Sequence, residues 1–377
     1  MVEYRIDDFS ENPQVIPQSV NTIVLAAALP FLAASGVHAD VLCAGSDAQG
    51  QCTPPGDVST LVDARAGAGH VVGLTAEGGV VAWGYNATGQ ADVPVELGGV
   101  VVTAVSAGAE HSAALGADGT VYCWGSNAQR QCNVPLDLPS CQAIACGGFH
   151  TVALLASGQI VCWGSDVYGQ LESPAGSDFV SIAAGLNHSV ALDSSGEVAC
   201  WGGNFFGESD VPDGLIGVTM VAAGNRHTLA VVPGSASGII GWGSNTSNQL
   251  AVPAALGTRT VVGLDAGSSN SIALDADGVV HSWGDDLADQ VTDSDGLSIV
   301  ETVSAGNAFF VMVAPACDQG GPCQCEADFN EDGVVNGADL TLLLNAWGTS
   351  DEVLDLDGDG IIDGADLTIL LSNWAPC

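Results

Sequence analysis

Lysine is absent from the 377 residues, and only five arginines face 44 aspartates and glutamates. Nucleic acids and anionic membranes draw their affinity from Lys and Arg contacts to phosphate, so a formal charge of −39 repels them and comes close to excluding a nucleic-acid binder. An acidic surface of this kind suits metal cations and solubility. Charged residues are also few, at 13%, which excludes an ordinary charged, disordered chain. Aromatics are only 6% of the chain, so its core must be built from Val, Ala, Leu and Ile. Long apolar runs are missing as well. The run at residues 23–34 has twelve mostly apolar residues including Pro30, short of the ~20 that span a bilayer. It fits the apolar region of a secretory signal, with Val37-His38-Ala39 as the cleavage site and Asp40 as the first mature residue. Residues 1–39 then form a signal peptide or extended leader. Glu3, Asp7, Asp8 and Glu11 outnumber Arg5 where a signal should be positive. Either the start codon lies later or the segment is not a signal. Twelve cysteines add weight to secretion, because paired cysteines persist in oxidising compartments.

What the chain has in abundance is repetition. Trp-Gly recurs at Trp83, Trp124, Trp163, Trp201, Trp242 and Trp283, at spacings of 41, 39, 38, 41 and 41, with a degenerate copy at Ala44. Interleaved with it is Ala-Gly-x-x-His-x-x-x-Leu, seven times between Ala66 and Ala305. The first five copies carry His70, His111, His150, His188 and His227; Asn270 and Phe309 replace His in the last two. Within a repeat, apolar runs such as 102–107, 111–115 and 120–124 read as strands, with Asp118-Gly119 as a hairpin turn. Three to four short strands every 40 or so residues describe propeller blades rather than a solenoid. The series opens on a Trp-Gly half and ends on an Ala-Gly half. These make one blade only if the ends of residues 40–315 meet, closing the ring and removing its open sheet edges. The expected fold is mainly β, a seven-bladed propeller closed by N- and C-terminal half-blades.

Ala-Gly-x-x-His-Ser-x-Ala-Leu followed by Trp-Gly-x-Asn-x-x-Gly-Gln resembles the regulator-of-chromosome-condensation repeat, a seven-bladed propeller family. The short form ending in Val-Pro, as in residues 83–94, is more similar to the secreted bacterial branch, to which beta-lactamase-inhibitory propellers belong. The nucleotide-exchange activity of the eukaryotic branch needs chromatin and a nuclear partner, which the charge argues against. The tryptophans read as core. The five His follow the repeat, whereas catalytic or metal-binding His would break it, so they read as structural hydrogen-bonders. His281 has no evident partner, and no nucleophile–base or phosphate-cradling motif stands out.

The partner site is expected on one face of the ring. In an up-and-down blade, the turn between the first two strands and the loop after the third emerge on the same side. Phe149 lies in such a turn, and Tyr168, Phe205 and Phe206 lie in two such loops, after Trp163 and Trp201. Four aromatics in an aromatic-poor chain would then gather on one patch, where clustered rings mark partner sites. The alternative is that the rings fold back onto their own blades.

Residues 316–377 hold 13 acids and no base. After a Cys-rich linker, 316–326, residues 327–377 contain a tandem pair of loops with a period of 27. Oxygen side chains stand at loop positions 1, 3, 5, 9 and 12, with Gly at 6: Asp328, Asn330, Asp332, Asn336 and Asp339, then Asp355, Asp357, Asp359, Asp363 and Asp366. With the position-7 carbonyls of Val334 and Ile361, each set is the spacing that wraps a twelve-residue loop around Ca²⁺, so two calcium ions are expected. Leu340, Leu343, Leu344 and Trp347 then follow at helical spacing, as do Leu367, Leu370, Leu371 and Trp374. A calcium loop followed by a helix, with Asp rather than Glu at position 12, resembles the type I dockerin. That resemblance implies docking to a cohesin module. Family recognition centres on loop positions 10 and 11, here Gly337-Ala338 and Gly364-Ala365, which bring no hydroxyl.

Cys43 and Cys52 lie nine apart, as do Cys123 and Cys132 at the same repeat positions. Two loop-closing disulfides are expected, with Cys317–Cys323 and Cys325–Cys377 clasping the C-terminal module; Cys141, Cys146, Cys162 and Cys200 stay unassigned. The chain thus reads as a secreted interaction protein. Its propeller would bind a protein, a cohesin-like module or a secreted enzyme being the candidates, and its calcium-dependent tail would dock it to a scaffold or surface. Two other functions stay open: a dockerin-borne hydrolase or lyase in extracellular polysaccharide degradation, and, by fold analogy, guanine-nucleotide exchange.

Overall fold

The pattern of one repeat folds as its turns dictate. In residues 102–125 the strands are Val102–Ala107, His111–Gly116 and Val121–Gly125. The second hairpin turns at Gly119, whose φ of +82° lies in the region a side chain resists. The middle strand is buried from end to end, because it has a strand on each edge and a blade on each face. The computed structural model describes residues 39–56, 58, 60–315, 329, 337–350, 354, 361–363 and 366–367. These form seven sheets of three antiparallel strands. Blades 1 to 6 span 61–84, 102–125, 141–164, 179–202, 220–243 and 261–284. The Val-Pro segments after the Trp-Gly loops of blades 1, 2, 4 and 5 add no regular fourth strand, since proline brings no N–H to a ladder.

Blade 7 is built from both ends of the domain. Ala39–Gly45 pairs antiparallel with Phe309–Pro315, which pairs with Thr302–Ala305. The N-terminal strand is therefore the outer strand of the last blade, and the ring is stitched shut as the markers predict. The degenerate Ala44 also finds its reason here. In blades 1 to 6 the tryptophan stands opposite a smaller residue: Val71, Ser112, Thr151, Ser189, Thr228 or Ser271. In blade 7 Ala44 stands opposite Phe310, so the bulk has changed strands and the volume is kept.

Blades pack face to face through apolar clusters drawn from neighbours. Leu115 and Val121 of blade 2 meet Ile144, Cys146 and Trp163 of blade 3. In the C-terminal segment the first helix is Gly337–Asn345, which begins at position 10 of the first twelve-residue loop. Leu343 is buried against Ile362 of the second loop, with Leu340, Ala346, Leu354 and Leu367 around them. Backbone bonds from Gly348 N to Ile362 O (2.8 Å) and from Ile362 N to Thr349 O (2.9 Å) join the two halves. The apolar stripe does not bury as a unit: Leu344 and Trp347 are exposed, because a core of this size covers only its centre. Leu370, Leu371 and Trp374 lie outside the described residues. Among the described residues no helix is long and apolar enough to cross a membrane.

Candidate functional site

The five repeat histidines are fully buried and bond from blade to blade. His70 Nε2 lies 2.9 Å from Ser112 Oγ of the next blade. Ser112 gives its own proton to Gln90 O (2.8 Å), a carbonyl that also accepts the indole N–H of Trp124 (2.9 Å). The hydroxyl can therefore only accept from the imidazole, and His70 is the Nε2–H tautomer. The same chain runs from His111 through Thr151 to Gln131 O, from His188 through Thr228 to Glu208 O, and from His227 through Ser271 to Gln249 O. His150 reaches Ser189 in the same way. Each Nδ1 is buried without a partner. It faces the marker glycine, where a Cβ would collide with the ring, which is why Ala-Gly precedes His. Burial holds these imidazoles neutral, at about 4 for His70, His150 and His227 and about 3 for His111 and His188. Among the described residues no group of three or more His, Cys, Asp or Glu is placed to hold a metal. His281 has a partner after all. Its Nε2 lies 2.9 Å from Asp275 Oδ2, which also accepts from Arg259 Nη1 (2.6 Å).

The loop face carries the aromatic patch. The Trp-Gly loop of each blade folds over that blade's first turn; Ser165 N bonds Phe149 O and Ser244 N bonds Arg226 O, both at 2.8 Å. The ring of Tyr168, from blade 3, meets the ring of Phe205, from blade 4, edge-on with centroids 5.1 Å apart. These rings do not fold back into the core: Tyr168 is 43%, Phe205 67% and Phe206 45% exposed. Phe149 stays half-buried in its turn and joins no ring pair. Two neighbours escaped the sequence reading. Val167 is exposed beside Tyr168, and the Arg226 guanidinium of blade 5 sits over the Phe206 ring, 4.8 Å from its centroid. Arg226 lies one blade on from Phe206, a distance that only the ring geometry closes; its place in a first turn like that of Phe149 was the available clue.

Of the expected disulfides, Cys43–Cys52 is formed. Cys123 and Cys132 are both free thiols, although their loop repeats the first: Cys52 N and Cys132 N each bond the side-chain oxygen five residues back, on Asp47 and Asn127. Cys123 packs into the blade 2–blade 3 cluster with Cys141 and Cys146, and burial raises its thiol, as it raises Cys132 to about 11. Cys141, Cys146, Cys162 and Cys200 are also free. Cys317, Cys323, Cys325 and Cys377 lie outside the described residues.

Of the calcium ligands, Asp328, Asn330, Asp332, Val334, Asn336, Asp355, Asp357 and Asp359 lie outside the described residues, and Asp339 is placed only by its backbone in the helix. Ile361, Asp363 and Asp366 are described. Asp366 is fully buried, and its Oδ2 accepts the Asp363 N–H at 2.7 Å, so loop positions 9 and 12 fold together. Hard oxygen donors of this kind fit Ca²⁺.

Comparison with known proteins bears on both parts. The model of the regulator of chromosome condensation (RCC1) repeat matches residues 62–90, 102–131, 141–170 and 179–208. The model of the dockerin type I domain matches 326–373. Among solved structures, Prp20p from Saccharomyces cerevisiae, described with its binding to Gsp1p and histones, is similar at 19% identity and a TM-score of 0.61, over 78% of this chain and 94% of that one. Yeast RCC1 (Prp20) bound to Kap60 is 18% identical, TM-score 0.63, over 85% and 97%. The ectodomain of the Physcomitrella patens receptor kinase CR4 is 24% identical, TM-score 0.54, over 66% and 74%. Likenesses at this identity establish the propeller fold alone. No curated protein matches the chain.

Proposed function

The chain carries RCC1 repeats and a dockerin type I domain, and from that premise we propose that it is a secreted interaction protein that holds a protein partner on the loop face of its propeller and docks through its tail. The observation that carries this reading is the contact of Tyr168 with Phe205 across two blades, both rings open to solvent on a rigid ring. Exposed aromatics at such a junction are paid for by a partner, and each anchor is typically worth ~2 kcal/mol or more. Phe206, held by Arg226, extends the patch, and Phe149 borders it. Dockerin type I domains bind calcium and imply a protein partner such as a cohesin. Here two ions are assigned, one to Asp328, Asn330, Asp332, Val334, Asn336 and Asp339, the other to Asp355, Asp357, Asp359, Ile361, Asp363 and Asp366. The exposed Leu344 and Trp347 supply apolar docking surface in a module whose positions 10 and 11 bring no hydroxyl. The Cys43–Cys52 disulfide supports an oxidising compartment.

The test is affinity capture from culture medium with the full chain, in calcium and in chelator. Tyr168→Ala combined with Phe205→Ala should abolish capture of the propeller partner and leave the thermal midpoint nearly unchanged. Chelator should release only what the tail holds. If the double variant lost stability but kept its partner, the rings would be packing residues and the reading would fall.

A further inference from the structure

The Trp-Gly loops share one hydrogen-bond scheme, and the loop of blade 3 departs from it. In blades 1, 2 and 4 the third residue after the tryptophan is Asn86, Asn127 or Asn204. Its Oδ1 accepts a backbone N–H five residues on, at 2.9, 3.0 and 3.0 Å. Its Nδ2 donates to the side chain six residues on: Asp92 (2.8 Å), Asn133 (2.8 Å) and Asp210 (2.7 Å). In blade 6 the pair is Asp286 with Thr292, and in the Ala44 loop of blade 7 it is Asp47 with Thr53; there the hydroxyl donates. Blade 5 has Ala251 at the second position and forms no pair. Each pair therefore joins a donor to an acceptor.

Blade 3 brings two acceptors. Asp166 Oδ1 accepts Leu171 N–H at 2.9 Å, so the loop keeps the common shape and Asp166 Oδ2 stands where other loops put an amide nitrogen. Six residues on is Glu172, whose Oε2 lies against Gly169, the chain neighbour of Tyr168. Both acids are exposed, and among the described residues neither makes an ion pair. Tyr168 lies between them in the chain, with the Phe205 ring against it and Val167 exposed beside it. The patch itself shows which donor its rings accept, since the Arg226 guanidinium lies over Phe206 in the next loop. The chain has five arginines for 44 acids, so the donor that blade 3 lacks has to come from a partner.

We propose that the protein held on this face presents an arginine to the blade 3 loop. Its guanidinium supplies the missing donor, bridging Asp166 and Glu172, and its plane rests on the rings of Tyr168 and Phe205. An apolar residue beside the arginine meets Val167. Guanidinium suits this place better than ammonium, because its planar fork of five N–H donors can span two carboxylates and lie on a ring. A metal ion would answer the carboxylates and leave the rings uncovered. The inference rests on the loop-face reading and adds to it the chemistry of the partner.

Isothermal titration of the full chain with the acetylated, amidated peptides Leu-Arg-Leu, Leu-Lys-Leu and Leu-citrulline-Leu tests it, in calcium buffer at about 0.15 M salt to screen the general acidity. The arginine peptide should bind one per chain, the neutral citrulline peptide weaker by about tenfold or more, and the lysine peptide in between. Asp166→Asn restores the donor that other loops carry, so it should weaken the arginine peptide by about tenfold or more while the thermal midpoint holds or rises. Asp92→Asn removes the same charge from the blade 1 loop, where the Asn127–Asn133 pair shows that two amides fit, and should leave binding unchanged. Absence of arginine-peptide binding up to about 10 mM, beyond the weak end of ligand affinities, would overturn the proposal. So would equal binding of the arginine peptide and either of the others, wild-type binding by Asp166→Asn, or an equal loss in Asp92→Asn. Loss of a calcium site in Asp166→Asn would give the pair to a metal and overturn it as well. Capture of a partner through Tyr168 and Phe205 that Asp166→Asn leaves intact would overturn the arginine and spare the loop-face reading.

Discussion

In residues 61–315 the buried histidines, hydroxyls and indoles of the repeat are neutral groups that answer one another from blade to blade: imidazole to hydroxyl, hydroxyl to carbonyl, indole to the same carbonyl. In residues 327–377 the polar groups are carboxylates, and no base in that segment answers them. The difference teaches where order comes from. The propeller carries its own hydrogen-bond partners and needs only its neighbours. On the proposed calcium assignment the tail takes its positive charge from bound ions, and its order would follow them.

The comparison is broken most severely at the ring closure. Deleting residues 40–56 removes the outer strand of blade 7 and leaves Phe309–Pro315 as an open apolar edge. That variant should aggregate, or melt lower by roughly 10 °C or more, the scale of losing several kcal/mol in a domain of this size. Removing residues 316–377 should leave the midpoint of the propeller where it was. Equal midpoints for the two deletions would refute the shared blade.

Calcium removal attacks the other half. Without metal the carboxylates at loop positions 1, 3, 5, 9 and 12 repel, so chelator should abolish the helical signal of the tail in far-ultraviolet circular dichroism of the full chain while its β signal persists. Saturating calcium at about a thousandfold over Kd stabilises a single site by about 4 kcal/mol. Asp328→Ala and Asp355→Ala should each remove one site in a calcium titration. A helical signal unchanged by chelator would count against the assignment.

Acid should reverse the roles. The five buried histidines have folded values of about 3 to 4, below the ordinary 6.5. Unfolded histidine takes up its proton as pH falls through 6.5, and the folded ring cannot, so the unfolded state gains. Stability is full above pH 6.5, falls from there toward pH 4, and levels off below. Each histidine contributes on the order of 3 to 5 kcal/mol to that loss when the window is complete. Carboxylates titrate mainly below about pH 4.5, so the window from 6.5 to 5 isolates the histidines. A thermal midpoint that stays constant or rises across it would contradict the neutral relay.

Blade number, ring closure, the structural role of the histidines and the place of the exposed rings were legible because repetition compares each residue with its equivalents. Ala44 looked like a lost tryptophan, and the swap with Phe310 needed the pairing register. Arg226 over Phe206 was not legible, since it joins positions that only ring closure brings together, whereas Asp275 beside His281 lies six residues away across a hairpin turn and was missed. The Cys123–Cys132 expectation rested on spacing alone. Spacing says nothing of Cys146, which shares the same cluster. In the tail, helical spacing marked the stripe but could not tell that Leu343 would be buried while Trp347 stayed in solvent.

The smallest expected effect sharpens the comparison from inside the propeller. Asn270 occupies the sixth histidine position and is fully buried, yet both its Oδ1 and Nδ2 lack partners. The reason is the next blade. Where the other histidines find Ser or Thr after the marker position, Asn270 finds Phe310, which has no hydroxyl. The relay stops there, and around this position blades 6 and 7 meet by apolar packing of Ile272, Val303 and Phe310, their hydrogen bonds lying at Asp265 instead. An unpaired buried amide costs about 1–3 kcal/mol, and an apolar residue of similar shape removes the penalty. Asn270→Leu should therefore raise the thermal midpoint by about 2 °C, the scale of roughly 1 kcal/mol in a domain of this size. Asn270→His should not, because a longer ring reaches only Phe310. If Asn270→Leu lowered the midpoint while Asn270→His raised it, the relay would continue through this interface, and the distinction between bonded and apolar blade contacts would fail at the position that defines it.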